Sequence, residues 1–188
     1  MAVKILTIST GKCSNISLSN SFQEEEKTIL SAIAKTPVSS IDNQVVIRCD
    51  LEGLQGDEHA DLSVHGGQAK AIYCYPVEHY DYWRNAIKAS EIHLSRLDQH
   101  GALGENLTIE GIVENQVFVG DIWKINDVEL EVTAPREPCF KFNAIMGDRL
   151  AGKKMFSQGL CGWYFSVRNP GRLKAGASIE IFPGPRKR

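Results

Sequence analysis

Short apolar and β-branched runs, separated by polar or glycine-containing turns, recur along the whole chain. Residues 3–8, 45–49 and 69–75 are such runs, and each predicts a β-strand. Beyond Gly101 the runs follow one another about every 8–12 residues, a spacing typical of a β-barrel or β-sandwich. The strands predicted there are 106–109, 116–119, 121–125, 128–133, 162–168 and 178–182.

Two segments carry a helical pattern instead. Val77, Tyr80, Trp83 and Ile87 recur at helical spacing after Pro76, so residues 77–88 predict an amphipathic helix whose aromatic side chains pack in the core. Residues 140–150 predict a second helical segment that ends near Gly152. The expected fold is mainly β with peripheral helices (α+β), built as one β-barrel.

The chain suits a single domain. Residues 1–34 are expected to form an N-terminal strand and a variable segment of the same domain, with a loop at 11–20. Residues 35–182 are expected to form the barrel, and residues 183–188 a frayed basic tail. A length of 188 residues buries about two thirds of the unfolded surface, so the fold needs no disulfide or metal to hold it.

Composition narrows the class of protein. A net charge of −2 argues against a broad basic face for a nucleic-acid polymer. The start of the chain lacks a signal-peptide pattern, and no apolar run has the length of a membrane span, so we expect a cytoplasmic protein that contacts no membrane. The five cysteines include no CxxC pair, which favours reduced thiols over a zinc ribbon or a redox pair.

Cys139 has the most distinctive setting of the five cysteines. Pro135 and Pro138 stiffen the loop before it, and Arg136 and Lys141 place positive charge nearby in sequence. Neighbouring cations favour a thiolate, which is both a nucleophile and a metal ligand. A free cysteine is also commonly a small core side chain, so the residues alone leave both interpretations open. For the other four cysteines the core interpretation is favoured.

A glycine-rich segment, residues 53–67, contains a second group of candidate side chains. Gly56, Gly66 and Gly67 permit positive φ and a close backbone approach to an anion. The titratable residues of the segment are Asp57, His59, Asp61 and His65. They allow a metal site, but their spacing matches no standard one, and turn-capping acids with pocket-lining histidines are favoured.

Residues 101–106 predict a tight turn that enters a strand. Glu105 and Asn106 can hydrogen-bond a ligand there, or they can cap the turn itself. The sequence does not decide between these two roles.

Taken in order, these segments resemble the MOSC domain family, in particular its small, stand-alone, YiiM-like bacterial branch. The resemblance extends from about residue 35 to residue 181. It is carried by KTPV (35–38), GLQGD (53–57), HGG (65–67), YP (75–76) with Tyr80 and Trp83, GEN (104–106), GD (120–121), PREPCFK (135–141) and GWY (162–164). It implies a MOSC-type β-barrel.

The resemblance also implies a ligand, the molybdenum cofactor, which is a pterin dithiolene with a phosphate and is expected to be lost during purification. Cys139 corresponds to the cysteine that coordinates molybdenum or carries sulfur in related enzymes. The residues implied to hold the anionic end of the cofactor or to line its pocket are Lys35, His65, Gly66, Gly67, Asn106, Arg136 and Lys141, with His59 as a weaker candidate.

Three functions are compatible with this resemblance. The first is reduction of a small N-hydroxylated compound such as 6-hydroxylaminopurine, with electrons from a separate donor protein, since the chain has no flavin or iron–sulfur signature. The second is a sulfur carrier with a Cys139 persulfide, and the third is a cofactor carrier without catalysis. A β-domain with an inert cysteine is the remaining alternative, and a homodimer is left open.

Overall fold

The computed structural model describes residues 2–18, 28–61, 66–87 and 91–186. Strands outnumber helices in these ranges. The strands are β1 (Lys4–Thr10), β2 (Ser14–Ser17), β3 (Thr28–Ser31), β4 (Thr36–Ser40), β5 (Ile47–Asp50), β6 (Gly53–Leu54), β7 (Ile72–Pro76), β8 (Leu107–Glu110), β9 (Ile122–Ile125), β10 (Val128–Pro135), β11 (Trp163–Asn169), β12 (Gly171–Leu173) and β13 (Glu180–Phe182). The α-helices are α1 (Tyr80–Ala86), α2 (Glu91–Ser95), α3 (Phe140–Met146) and α4 (Ala151–Gln158).

Eight strands form one strongly curled sheet in the order β13-β9-β10-β11-β7-β8-β1-β4. All neighbours are antiparallel except β7 and β8, which run parallel. The curl brings the segment before β13 back to β1: the backbone N–H of Gly176 donates to the carbonyl of Ile5 at 2.8 Å, and Lys4 forms an isolated bridge with Ser178. The expected mainly-β architecture of barrel type with peripheral helices is therefore confirmed.

The interior of the curled sheet follows from alternation along its strands. In β10, Val128, Leu130 and Val132 are buried, while Glu129 and Glu131 between them face outward. Trp123, Phe165 and Leu107 are among the fully buried residues of this core. Removing such apolar surface from water supplies the main stabilising free energy of the barrel.

A second core lies between the sheet and the helices, and it holds the aromatic residues of the predicted helix. Trp83 is fully buried, its ring centroid lies 5.5 Å from that of Phe142 on α3, and its indole N–H donates to the Tyr75 hydroxyl at 2.7 Å. The expectation that these aromatics pack internally is confirmed. Because α3 begins directly after Cys139, this core also fixes the position of the Cys139 loop.

The predicted helix over 140–150 is wrong in extent. α3 ends at Met146 because Gly147 adopts a left-handed conformation, with φ of 62°, and a second helix, α4, begins at Ala151. The helix predicted over 77–88 comprises a 3₁₀ turn (Val77–His79) and α1, and Lys88 lies outside the described residues.

Three further predictions need correction. The predicted strand over 116–119 is instead a 3₁₀ turn (Glu114–Gln116) and an irregular segment before Gly120, whose φ is 90°. The segment predicted as a loop over 11–20 contains β2. The tail is held as far as residue 186, because the buried Asp121 carboxylate accepts hydrogen bonds from the Gly184 N–H and from the Arg186 guanidinium.

Candidate functional site

The Cys139 loop begins where β10 ends at Pro135, as the two prolines predict. The backbone N–H of Arg136 donates to the carbonyl of Gly162 at 3.2 Å, which ties the start of the loop to the residue just before β11. Cys139 is extended, with φ of −107° and ψ of 172°, and α3 begins at the next residue. The loop therefore sits between the barrel and the helices, held at both ends.

A cleft that is partly open to solvent lies between this loop and the barrel. The structure brings most of the predicted site residues to it: Lys35, His59, Gly66, Asn106, Arg136, Cys139 and Lys141 all line the cleft. His65 lies outside the described residues. Gly67 follows Gly66 and precedes a 3₁₀ turn (Gln68–Lys70), with open space around its Cα.

Lys35 and Asn106 lie on one wall of the cleft, and both hydrogen-bond to Asp57; we call these three residues the barrel side. The Lys35 ammonium donates to the Asp57 carboxylate at 2.5 Å, and the two side chains are only 7% and 2% exposed. Burial lowers the pKa of Lys35, while the negative charge of Asp57 opposes that shift. A buried cation is thus held next to the cleft by a buried carboxylate.

Asn106 has all its side-chain groups engaged within the protein. Its amide nitrogen donates to Asp57 at 2.9 Å and to the carbonyl of Ser9 at 3.2 Å, and its amide oxygen accepts from the backbone N–H of Tyr73 at 3.0 Å. Such an arrangement positions the surrounding backbone and leaves little capacity for a ligand. Direct binding of a cofactor by Asn106 stays a prediction, and the geometry favours a positioning role.

A second part of the cleft wall, which we call the loop side, belongs to residues 136–141, of which Arg136, Cys139 and Lys141 line the cleft. Arg136 is 5% exposed, its guanidinium donates to the carbonyl of Leu103 at 2.8 Å, and its central carbon lies 4.6 Å from the ring centroid of Tyr73 and 4.9 Å from that of Phe142. These contacts hold a permanently charged group at the cleft wall.

Lys141 contrasts with Arg136. It is 7% exposed and lines the cleft, yet within the described ranges no hydrogen bond or ion pair reaches its ammonium group. Burying a cation without a partner is unfavourable, because the group loses its hydration without gaining a compensating charge. Lys141 is therefore a buried cation on the cleft wall that no described side chain neutralises.

Cys139 lies two residues before Lys141 and is partly exposed. Its side chain makes no capping hydrogen bond to α3. It also borders a shallow outer hollow on the other side of the loop, where Phe140 and Phe156 are 55% and 73% exposed. The sulfur-bearing residue is thus accessible from two sides.

The remaining cysteines have different surroundings. Cys49, Cys74 and Cys161 are buried, as the core interpretation predicts, and burial raises the pKa of Cys49 to about 12. Cys13 is half-buried on a loop outside the cleft wall, and burial raises its pKa as well. High thiol pKa values disfavour the thiolate, so these residues are poor candidates for metal or sulfur chemistry.

His59 and Gly66 form the rim of the cleft. A Cβ atom on Gly66 would lie 2.7 Å from the His59 ring, and φ of Gly66 is 80°, so only glycine fits beside this imidazole. Burial is the main cause that lowers the pKa of His59, and the nearby Lys35 charge adds to it. His59 is therefore mainly neutral at pH 7.

Glu105 caps its own turn, which was one of its two predicted roles. Its fully buried carboxylate accepts hydrogen bonds from the backbone N–H groups of Gly101 and Leu103, from Thr108 Oγ1 and from the Tyr80 hydroxyl. Because the Leu103 carbonyl binds Arg136, this turn supports the loop side from beneath.

In the part of the chain that the structure describes, no three His, Cys, Asp or Glu side chains are grouped to hold a metal ion by themselves. His59 and Asp61 thus form no such group with the other described residues, and His65 lies outside this comparison. Likewise, none of the described helices has the length and apolar character needed to cross a bilayer.

Sequence reasoning missed several residues of the cleft. Tyr73 and Tyr164 line it, and the ammonium of Lys70 lies 5.7 Å from the ring centroid of Tyr164. The role of Asp57 as the partner of Lys35 was also missed. Asp57 stands out in the sequence as a titratable residue of the glycine-rich segment, but no local pattern connects it with a lysine 22 residues earlier.

Comparison with known proteins agrees with this fold and cleft. A profile of the MOSC domain family matches residues 61–180, which is most of the chain and includes the whole loop side. The chain therefore belongs to the MOSC domain family. Its relatives place it with the YiiM-like, stand-alone members of that family.

YflK of Bacillus subtilis, an uncharacterised protein, is 34% identical over 89% of this chain and 70% of its own length. YiiM of Escherichia coli is 38% identical over 80% of this chain, which spans 63% of YiiM. A protein of Gibberella moniliformis named reductase is 38% identical over 73% of this chain and 24% of its own length.

Solved structures show the same fold. The crystal structure of YiiM from Geobacillus stearothermophilus superposes with a TM-score of 0.69 at 26% identity, covering 96% of this chain and 75% of that one. YiiM from Escherichia coli gives a TM-score of 0.69 at 25% identity, covering all of this chain and 72% of that one.

Proposed function

We propose that this chain is a molybdenum-cofactor-dependent oxidoreductase that reduces N-hydroxylated compounds, with Cys139 as the protein ligand of molybdenum. One observation carries the proposal: a partly exposed cysteine and a buried lysine line the same cleft, and no described residue pairs with that lysine. Membership of the MOSC family and similarity to a protein named reductase support an oxidoreductase.

The residues present fit the implied cofactor. A phosphate would be a favourable partner for the buried Lys141 ammonium, and the cofactor carries one. Cys139 offers a soft sulfur donor, which suits molybdenum better than the hard cations that carboxylates prefer. One cleft therefore contains the two kinds of group that an anionic, metal-bearing pterin requires.

Each of these residues has a distinct task in the proposal. Lys35, Arg136 and Lys141 bind the anionic end of the cofactor, and the backbone at Gly66 and Gly67 contributes N–H donors. Cys139 is the metal ligand. When bound, the cofactor supplies two-electron redox chemistry at molybdenum, while the protein supplies orientation and electrostatics.

The proposed reaction converts an N–OH group into an N–H group and water, and it consumes two electrons and two protons. We assign the electrons to a separate donor protein in the cytoplasm. The outer hollow beside Phe140 and Phe156 gives a small-molecule substrate a route to Cys139 while the cleft holds an anion. A compound such as 6-hydroxylaminopurine is the substrate to test first.

The test is reconstitution of the purified protein with molybdenum cofactor, followed by reduction of 6-hydroxylaminopurine with a chemical electron donor. We expect wild-type protein to turn over and Cys139→Ser to be inactive, whereas Cys13→Ser, with a half-buried cysteine outside the cleft, retains activity. Equal activity of wild type and Cys139→Ser would refute the catalytic assignment. Cyanide-labile sulfur on Cys139 without turnover would favour the sulfur-carrier function instead.

A further inference from the structure

Asp57 joins several separate segments of the barrel side. Its carboxylate accepts the Gly11 N–H at 2.7 Å, the Lys35 ammonium at 2.5 Å and the Asn106 amide at 2.9 Å. Its own backbone N–H donates to the carbonyl of Leu54 at 3.0 Å, so the carboxylate is held by a turn. A single buried side chain thus fixes the end of β1, the start of β4 and the turn before β8.

Lys35 depends on this carboxylate for its charge. Its side chain is 7% exposed, and an ammonium group in such a place loses much of its hydration. The Asp57 carboxylate accepts a hydrogen bond from one of the three N–H groups of the ammonium, which leaves two donors for a ligand in the cleft. Without the carboxylate, the protonated form would be less favourable than it is now, and a neutral amine attracts an anion far less.

We infer that Asp57 is a positioning residue, which keeps Lys35 protonated and directed at the anionic ligand of the cleft. The inference rests on the proposed function only in that the ligand is an anion. It gives the two lysines different tasks: Lys141 contributes uncompensated charge, and the Lys35–Asp57 pair contributes a directed donor with no net charge.

Other charged groups act on Lys35 as well. Glu105 favours its protonated form, although less strongly than Asp57, and Arg136 disfavours that form. His59 also lies close enough for the Lys35 charge to lower its pKa. Because Glu105 already accepts hydrogen bonds from four donors, Asp57 remains the direct partner of the ammonium.

The experiment follows the Lys35 side chain in the cofactor-free protein by nuclear magnetic resonance, with ¹³C at the lysine Cε positions. Each protein is titrated with pH and then with inorganic phosphate as the anionic probe. The variants are Asp57→Asn, Lys35→Gln and their combination. Asp50→Asn serves as the matched control, because it makes the same change in an exposed carboxylate that pairs with Arg48.

We expect phosphate to shift the Lys35 signal of the wild-type protein. In Asp57→Asn, Lys35 should lose its proton at lower pH and phosphate affinity should fall about tenfold, a loss typical of a charge-assisted hydrogen bond. Asp50→Asn should change neither. Adding Asp57→Asn to Lys35→Gln should cause no further loss of affinity, since one acts through the other.

If the Lys35 signal of the wild-type protein does not shift when phosphate is added, the inference is overturned. This outcome can be read even if Asp57→Asn fails to fold. An unchanged Lys35 titration in Asp57→Asn would overturn it too, as would additive losses in the double variant. Since none of these measurements uses molybdenum, they separate the role of Asp57 from the proposed redox function.

Discussion

The two walls of the cleft differ in how far their polar groups are satisfied. On the barrel side, Lys35, Asp57 and Asn106 hydrogen-bond to one another and to the backbone. On the loop side, Cys139 and Lys141 have no such partners in the described chain. The barrel side is thus a preformed support, and in the proposed function a ligand completes the loop side. Replacements on the barrel side should therefore lower stability as well as anion binding, whereas replacements on the loop side should impair function without loss of stability.

The largest effect is expected for Cys139→Ser. Loss of a metal ligand should lower N-hydroxyl reduction by roughly 100-fold or more, beyond the loss expected for an outer partner of the metal. The free energy of unfolding should stay within about 0.5 kcal/mol of wild type, because the side chain is partly exposed and makes no capping bond. Steady-state kinetics and urea unfolding measure the two quantities. A strongly destabilised variant would contradict the proposed division between the walls.

Asn106→Ala should affect stability first. It leaves the Tyr73 N–H without its acceptor and removes a donor from Asp57, so the free energy of unfolding should fall by about 2–4 kcal/mol. Asn85→Ala is the matched control, because Asn85 is exposed on α1 and donates only to the carbonyl of Asp81. Equal unfolding free energies for the two variants would contradict the supporting role of the barrel side.

Lys141→Met should change the free energy of unfolding in the opposite direction. The methionine side chain replaces a buried cation that has no partner among the described residues, so the free energy of unfolding should rise by up to about 1 kcal/mol. Affinity for phosphate should fall about tenfold. Lys124→Met on β9, where the lysine is half exposed, should leave phosphate affinity unchanged. Loss of stability in Lys141→Met, with intact phosphate binding, would show that this lysine is structural.

The smallest effect concerns pH. Burial lowers the pKa of His59 in the folded protein, so the unfolded chain binds a proton first as the pH falls below about 6.5. The free energy of unfolding should therefore decrease below that pH, and His59→Gln should reduce the decrease. His100, whose pKa burial also lowers, should account for part of what remains. Urea unfolding between about pH 5 and about pH 7.5 checks this prediction. The same pH dependence of the unfolding free energy in His59→Gln as in wild type would contradict it.

Much of the fold could be predicted from local pattern because its inner strands alternate strongly. β10 shows this clearly, with three buried apolar residues separated by two glutamates. β4 was missed because TPVSS carries no apolar run and pairs at the edge of the sheet, where Pro37 is tolerated. The strand predicted over 116–119 failed because its apolar residues Phe118 and Val119 are exposed beside the turn at Gly120.

The site divides in the same way. The loop side could be predicted because its three polar residues are close in sequence. Arg136 lies between two prolines, and Cys139 and Lys141 follow the second one. The barrel side could not, because the partners of Asp57 come from positions 11, 35 and 106 and meet only in the folded chain. Long-range hydrogen bonds leave no local pattern, even where they hold the site together.

The central claim is that the sulfur of Cys139 binds molybdenum in this cleft. X-ray absorption at the molybdenum edge of the cofactor-reconstituted protein tests it directly. The proposal predicts one more sulfur neighbour of molybdenum in wild type than in Cys139→Ser. The Cys13→Ser control should show the same number of sulfur neighbours as wild type. The same sulfur count in wild type and Cys139→Ser, at equal metal content, would contradict it.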